Sequence, residues 1–541
     1  MRRAFFLILV ILCLMVVSGC GKNDKIPNPV KEIQSGGQLR LGSLYEPNTL
    51  NPLLSDFLSV AEVGRLIFSG LTIMNDKGEW IADLASEVPT IQNGGVSRDG
   101  LVITYKLKQG ITWHDGAPFT AEDVKFTWQM INNRTINIVQ RDGYDKITAI
   151  ETPDPYTVVI KFREYYAPHL TLFNVIMPKH LLAGVDDINK AAFNRAPIGT
   201  GPFKFKEWRL AEAIVFEANH SYFRGKPRLD SVIYKIVPDS SIMLSQLKAG
   251  GVDIVNDINF TQLDQFNAVE EINVVMTPGV IWEHLDLNLD NPLFQDVRVR
   301  QAILFGIDRQ FIVENVLKNA ASPAVADQSP LSWAYNPALT VPARDVDRAR
   351  ELLIQAGWQQ GTDGIFIKNG RRLTFSLVTT AGNKVREAVA QMILQQLREV
   401  GIAVEVRPLD PKMFFDDVLK RRQFEVAMYG WVSGVDPDHS GLWHSKNIPS
   451  SLNGYNGQNY PGWRNAEIDS LTEAGNRAVD IETRKHQYYR IQELIIQESP
   501  VIPLYFKANI DAVKKNVANY RPNSSPAGNL WNAWELGFYE K

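Results

Sequence analysis

The segment from Gly430 to His444 gathers Trp431, Ser433, Asp436, Asp438, His439, Ser440, Trp443 and His444. Asp438-His439-Ser440 holds the residue types of a nucleophilic relay. Such a relay needs side chains converging from separate segments, whereas chain neighbours diverge. Asp436, Asp438, His439 and His444 are metal-ligand types, but their spacing matches no recognisable zinc or calcium pattern. Nowhere does the chain carry His-Glu-x-x-His, Gly-x-Ser-x-Gly or Gly-x-x-x-x-Gly-Lys-Ser/Thr, so the common zinc, nucleophile-elbow and phosphate-loop chemistries have no foothold. The expectation is a protein that is not an enzyme, with no cofactor and no metal. The segment, with Trp431, Ser433, Gly434, Asp436 and Trp443, is the first candidate for ligand contact, since aromatics beside glycines on a loop suit binding; the other reading is that Trp431 and Trp443 are core aromatics.

An α/β unit positions that loop. Leu373, Phe375 and Leu377 alternate as a strand, Val385, Ala388, Val389, Met392 and Leu397 follow helical spacing up to Gly401, and Ile402, Val404 and Val406 alternate again. That is a βαβ pattern, which implies parallel pairing. A second helix around 414–420 leads into the apolar run Phe424 to Tyr429, which ends at Gly430-Trp431. In open α/β sheets ligands bind beyond the carboxyl ends of the strands, where this run delivers its loop. Earlier, Leu101, Ile103, Tyr105 and Leu107 alternate, Thr120-Ala-Glu-Asp123 reads as a capping box, and Tyr156, Val158, Ile160 and Phe162 alternate again. These predict an α+β unit with its own small sheet, reaching about Ala196.

The N-terminus sets the location. Arg2 and Arg3 precede an apolar run from Ala4 to Val17 that ends in Val17-Ser-Gly-Cys20. A positive head, a short apolar core and small residues make a secretory signal too short to span a bilayer of about 30 Å. Its end resembles the lipobox of bacterial lipoproteins, in which Cys20 is acylated; the alternative is a secreted protein in which Cys20 is incidental. Two or more acyl chains hold a domain stably at a membrane. Residues 21–38 are polar with paired glycines and read as a linker, so the fold should begin near Leu39. Only Cys13 and Cys20 are present, so the mature chain has no disulfide. Of 541 residues 45% are hydrophobic and 22% charged, a globular composition, and the length after the linker predicts two to four domain-sized units. No second apolar stretch approaches 18 residues. With Arg2 and Arg3 removed, 55 basic residues face 60 acidic ones, which gives no reason to expect nucleic acid.

Six signatures, in order, resemble the extracytoplasmic solute-binding proteins of the oligopeptide, dipeptide and nickel group: Gly36-Gly-Gln-Leu-Arg-Leu41, Trp113-His-Asp-Gly116 followed by Phe119 to Phe126, Gly199-Thr-Gly-Pro-Phe203, Asn291 to Ala302, Ile307-Asp-Arg309, and Asn465 to Leu471 after Trp463. Read by themselves, Trp113 to Gly116 form a turn and Asp296 an N-cap ahead of a helix over 297–317. The resemblance implies an α/β, two-lobed periplasmic-binding-protein-like fold with mixed sheets plus an extra α+β domain. By that likeness residues 1–19 are the signal peptide and 20–38 the lipidated linker. Residues 39–74, 199–286 and 506–541 would form the first lobe, 75–198 the extra domain and 287–505 the second lobe.

The resemblance also implies a monomer on the extracytoplasmic face of the cell membrane, capturing peptide for the permease subunits and ATPases of an ABC importer. A nickel chelate or another small ligand, or a sensor with no transport role, stays open. Tyr45, Asn48, Asn256, Trp282, His284 and Trp333 sit in segments that resemble cleft-facing ones and join the five loop residues as expected ligand contacts. One departure stands out. In many peptide-binding members an aspartate three residues after this Gly-Trp pairs with the peptide's amino group, and here that position is Gly434. Asp436 reaching back is one substitute; a turn-capping Asp436-Pro437 is the other reading.

Overall fold

The computed structural model describes residues 32–340 and 342–540; the signal peptide, Cys20 and most of the expected linker lie outside them. Among the described residues no helix is long and apolar enough to cross a membrane.

One eleven-stranded mixed sheet runs through both lobes. In the first lobe Gln38–Ser43 lies parallel to Ser231–Ile236 and to Ile254–Val255, and Ala213–Ala218 and Phe203–Arg209 extend the edge. In the second lobe Thr374–Thr380, the helix Lys384–Val400 and Ala403–Leu409 form the expected parallel βαβ unit, and Val426–Val432 joins it on the other side. The helix ends at Gly401 with φ +106°, a conformation only glycine adopts cheaply.

Two long antiparallel strands, Ile272–Leu287 and Val501–Lys514, connect the lobes. Their first-lobe and second-lobe halves are separated by a bulge between Thr277 and Ile281. Pro278 supplies no ladder donor there, and a Cβ on Gly279 would meet the Lys507 carbonyl oxygen at 2.1 Å, so the crossing requires this pair. The hydroxyls of Ser524 and Ser329 donate to the carbonyls of Pro278 (2.7 Å) and Gly279 (3.0 Å). Beyond that bulge Ile281–Leu287, placed in the first lobe by the sequence reading, pairs with Val426–Val432.

The extra region has its own antiparallel sheet, Val102–Lys106, Thr157–Phe162 and Ile147–Asp154 in that order, and the helix Ala121–Asn132 behind the expected capping box. Its apolar core is continuous with the first lobe's, from Leu39 and Val232 to Ile103 and Val158, and Val479 of the second lobe packs against the same cluster. Two of the signatures make the joint. His114 N–H donates to the Gly199 carbonyl (2.9 Å), Gly199 N–H donates to His114 Nδ1 (3.2 Å), and Nε2 faces the Gly201 carbonyl at 3.0 Å. Burial holds that imidazole neutral, with its pKa lowered to about 4.

Two expectations are corrected here. Residues 33–34 are not linker: Ile33–Gln34 pairs with the C-terminal strand Gly537–Tyr539, a contact between chain ends that composition cannot reveal. The helix expected over 297–317 stops at Gly306. Asp308 caps a new turn by accepting from Phe311 N–H (2.8 Å), while the buried Arg309 guanidinium donates to the carbonyls of Pro503 (2.6 Å) and Leu304 (3.2 Å). Ile307-Asp-Arg309 is thus the break itself.

Candidate functional site

A cavity of about 620 Å³ lies between the lobes where the connecting strands cross. The first lobe contributes Ser43 to Tyr45 at the carboxyl end of its strand, Asn256 to Phe260, and the opening turns of the helices Leu58–Ile67 and Ser240–Ala249. The second lobe contributes Asn383, Val385 and Arg386 at the start of Lys384–Val400, with Ile281, Glu283, Tyr505 and Lys507 from the connecting strands. Three helix N-terminal turns and the carboxyl ends of parallel strands thus meet in one space, the arrangement that suits ligand capture in α/β sheets.

Charges of both signs line it. Arg386 donates to both oxygens of Glu283, at 2.6 and 3.0 Å, and to Thr380 Oγ1 at 2.7 Å. Glu62 accepts from Asn256 Nδ2 and lies 3.1 Å from the Tyr234 hydroxyl. Burial, reinforced by Asp511 and Asp257, outweighs those contacts and raises Glu62 to about 7. Behind it the Tyr520 hydroxyl sits 3.0 Å from Asn256 Oδ1 and 2.9 Å from Asp511 Oδ2, and burial raises Asp511 to about 6. Lys507 is exposed in the cavity wall.

The expected contacts divide sharply. Tyr45, 68% exposed, and Asn256 line the cavity; Asn48 is exposed and is not among its lining residues. Trp282 and His284 are 1% and 2% exposed, stacked with centroids 4.0 Å apart, and Trp443 packs edge-on against Trp282 and Trp463. These three, expected at the ligand, are enclosed in the second lobe. The reason is strand parity: Trp282 and His284 point beneath the sheet, while Ile281 and Glu283 on the opposite face meet the cavity. Trp443 is further fixed by its indole N–H donating to Asp327 Oδ2 at 2.7 Å. Trp431 is half-buried opposite Trp282 in the strand register. Ser433 N–H donates to the Val280 carbonyl (3.0 Å), and Gly434 is exposed.

Trp333 and Asp436 fall in a separate cavity between the extra domain and the second lobe. There Asp436 is held by Arg484 through two hydrogen bonds of 2.7 and 2.9 Å, so it is not a free carboxylate. Sequence reasoning missed Glu62, Asp257, Glu283, Arg386 and Lys507. The alternation of Ile281 and Glu283 against Trp282 and His284 was the available signal for one of them.

A model of the bacterial extracellular solute-binding proteins, family 5, in its middle region, matches residues 79–449. The oligopeptide-binding protein AppA of Bacillus subtilis is 30% identical over 550 residues, covering 98% of each chain. Its structure in complex with a nonapeptide aligns at a TM-score of 0.63, covering 94% of this chain and 100% of that one. NikZ of Campylobacter jejuni, solved in complex with Ni(L-His), is 27% identical with a TM-score of 0.67, over 92% of this chain and 99% of that one. The family model and the 30% identity over nearly the whole chain show the family to which this chain belongs: the bacterial extracellular solute-binding proteins, family 5.

Proposed function

We propose that the chain is a lipid-tethered extracytoplasmic binding protein that captures peptides in the interlobe cavity and delivers them to the permease of an ABC importer. The observation that carries this reading is a cavity of about 620 Å³ lined by residues of both lobes, which two long strands connect. Such a hinge lets a ligand with contacts to both lobes favour a closed form, which a membrane partner can distinguish from the open one. The mixed lining, which includes Glu62, Asp257, Lys507 and the Glu283–Arg386 pair, suits a dipolar ligand carrying ammonium and carboxylate groups. AppA, whose structure holds a nonapeptide, supports peptide as the ligand class. Tyr45, Asn256, Glu62, Glu283 and Arg386 are the proposed contacts.

NikZ keeps a second reading in view, because an amino-acid chelate of a metal is also a compact dipolar ligand. Native mass spectrometry on the full chain purified in detergent separates the two. Adducts that fragment into peptides are expected; a metal-containing adduct in their place overturns the peptide reading. The tether is tested on its own by Cys20→Ala, which should move the protein from the membrane to the soluble fraction with its fold intact. Retention on membranes would remove Cys20 from the proposal.

A further inference from the structure

The carboxylates that line the interlobe cavity differ in what holds them. Glu283 is closed by Arg386 through two hydrogen bonds, whereas Glu62, on the helix Leu58–Ile67, pairs with no cation among the described residues. We propose that Glu62, on the reading that the ligand is a peptide, is the residue that takes the ligand's ammonium group.

Leu58, Ser59 and Glu62 lie on the cavity side of that helix, and Glu62 is partly buried there. Its Oε1 accepts from Asn256 Nδ2, and its Oε2 faces the Tyr234 hydroxyl at 3.1 Å. Both partners are neutral. A carboxylate has about four acceptor positions, so these two leave room for a further donor. The partners are themselves fixed. Asn256 Oδ1 takes the Tyr520 hydroxyl at 3.0 Å, so the amide turns its N–H₂ to Glu62, and the Tyr234 hydroxyl lies 2.6 Å from Ser43 Oγ. The charges nearby deepen the want of a cation. Asp511, on the strand Val501–Lys514, and Asp257, after the strand Ile254–Val255, both disfavour ionisation of Glu62, and burial does so more strongly, raising it to about 7. Of the two cations in the lining, Arg386 is taken by Glu283, and Lys507 forms no ion pair with Glu62 or Asp257. An ammonium brought by the ligand is the missing partner, and it meets a carboxyl already stripped of part of its water, where a charge pair gains more than at an exposed site. Asp257 is exposed, so it offers less. Capture has a proton balance: the ammonium keeps its protons and hydrogen-bonds to the carboxylate, while a neutral Glu62 releases its proton to solvent.

An ammonium has two sources in a peptide, the free amino terminus and a lysine side chain. Native mass spectrometry of the full chain against a library of tetrapeptides that each carry one lysine picks the probe. Calorimetry at pH 6.5 then compares that tetrapeptide with its Nα-acetyl and Nε-acetyl forms. One of the two acetylations should weaken binding at least about thirtyfold in the wild type and no more than about threefold in Glu62→Gln; which of them does so names the source. Binding of the unmodified probe to the wild type should release at least about half a proton, read from the enthalpy difference between phosphate and imidazole buffers, and binding to Glu62→Gln none. Glu62→Asp, which keeps the charge on a shorter stem, should retain part of the acetylation effect, and denaturant midpoints establish that both variants are folded. Acetylation without effect in the wild type, or the same acetylation factor in the wild type and Glu62→Gln, overturns the role of Glu62 and leaves the peptide reading standing. Loss of the acetylation effect in Asp257→Asn but not in Glu62→Gln moves the role to Asp257 and overturns it equally. A library with no bound member overturns the peptide reading and the role of Glu62 together.

Discussion

The interlobe cavity and the smaller cavity beside the extra domain each hold a forked ion pair and a titratable side chain displaced towards its neutral form, yet by opposite proton movements. In the first, burial pushes Glu62 up towards protonation; in the second, it pushes His169 down towards proton loss. The pairs Glu283–Arg386 and Asp436–Arg484 are each closed by two hydrogen bonds at good length. Burial thus penalises charge of either sign unless a partner of matching geometry is present. The consequences differ. Glu62, near 7, changes charge around neutral pH, whereas His169, near 4, stays neutral throughout that range. The interlobe cavity has a tunable field and the smaller cavity has a constant one.

The largest effect that tests this contrast comes from the pairs. Arg484→Met should cost about 3–5 kcal/mol of unfolding free energy, because it strands Asp436 in a site that supplies no other cation. It also removes donors to the Gly475 carbonyl (2.8 Å) and the Tyr488 hydroxyl (3.1 Å). Adding Asp436→Asn should restore part of the loss. Arg386→Met should cost less, since the interlobe cavity also presents Lys507 as a cation for Glu283. Urea unfolding ranks them; a larger penalty at Arg386 would show that Lys507 does not compensate.

Glu62→Gln probes the tunable site. A carboxyl with a folded value raised from 4.5 to about 7 binds more protons folded than unfolded between those values, so its contribution to stability falls as pH rises through the window. Removing the charge should therefore stabilise the protein by about 2–3 kcal/mol more at pH 8 than at pH 5. His169→Leu should do the reverse. A histidine lowered from 6.5 to about 4 binds fewer protons folded than unfolded, so the wild type loses stability as pH falls below 6.5, and the variant should gain about 2 kcal/mol more at pH 5 than at pH 8. Denaturant midpoints at the two pH values check both signs, and parallel slopes for the two variants would erase the contrast.

Much of this architecture is legible in the sequence, for identifiable reasons. The βαβ unit and the capping box at Thr120 depend on spacing within about thirty residues, and both form as spacing predicts. What is not legible is long-range. The register of Ile272–Leu287 against Val501–Lys514, more than two hundred residues away, decides that Trp282 and His284 turn inward and Glu283 outward. Likewise Asp436 looks like a loop carboxylate until Arg484, in another helix, closes on it. Aromatic residues drew attention as ligand contacts because of their type, whereas the cavity wall was set by strand parity.

The smallest expected effect bears on whether the two regions are one site. If peptide is the ligand, its amino group must find an anion or go unread. Gly434 offers none, and Asp436 is already paired with Arg484 on the far side of the loop from the interlobe cavity. Drawing Asp436 away would leave Arg484, 5% exposed, without its counter-charge, a loss of the same order as the gain from a peptide ammonium. Glu62 and Asp257, which line the cavity itself, carry no such cost. N-Acetylation of a bound peptide should therefore change its affinity by the same factor, within about twofold or about 0.4 kcal/mol, in the wild type and in Asp436→Asn. Calorimetry at a temperature where both are folded makes the comparison. If acetylation weakens binding tenfold in the wild type and not in Asp436→Asn, the Asp436–Arg484 pair opens for ligand, and the smaller cavity beside the extra domain is the far end of the peptide site.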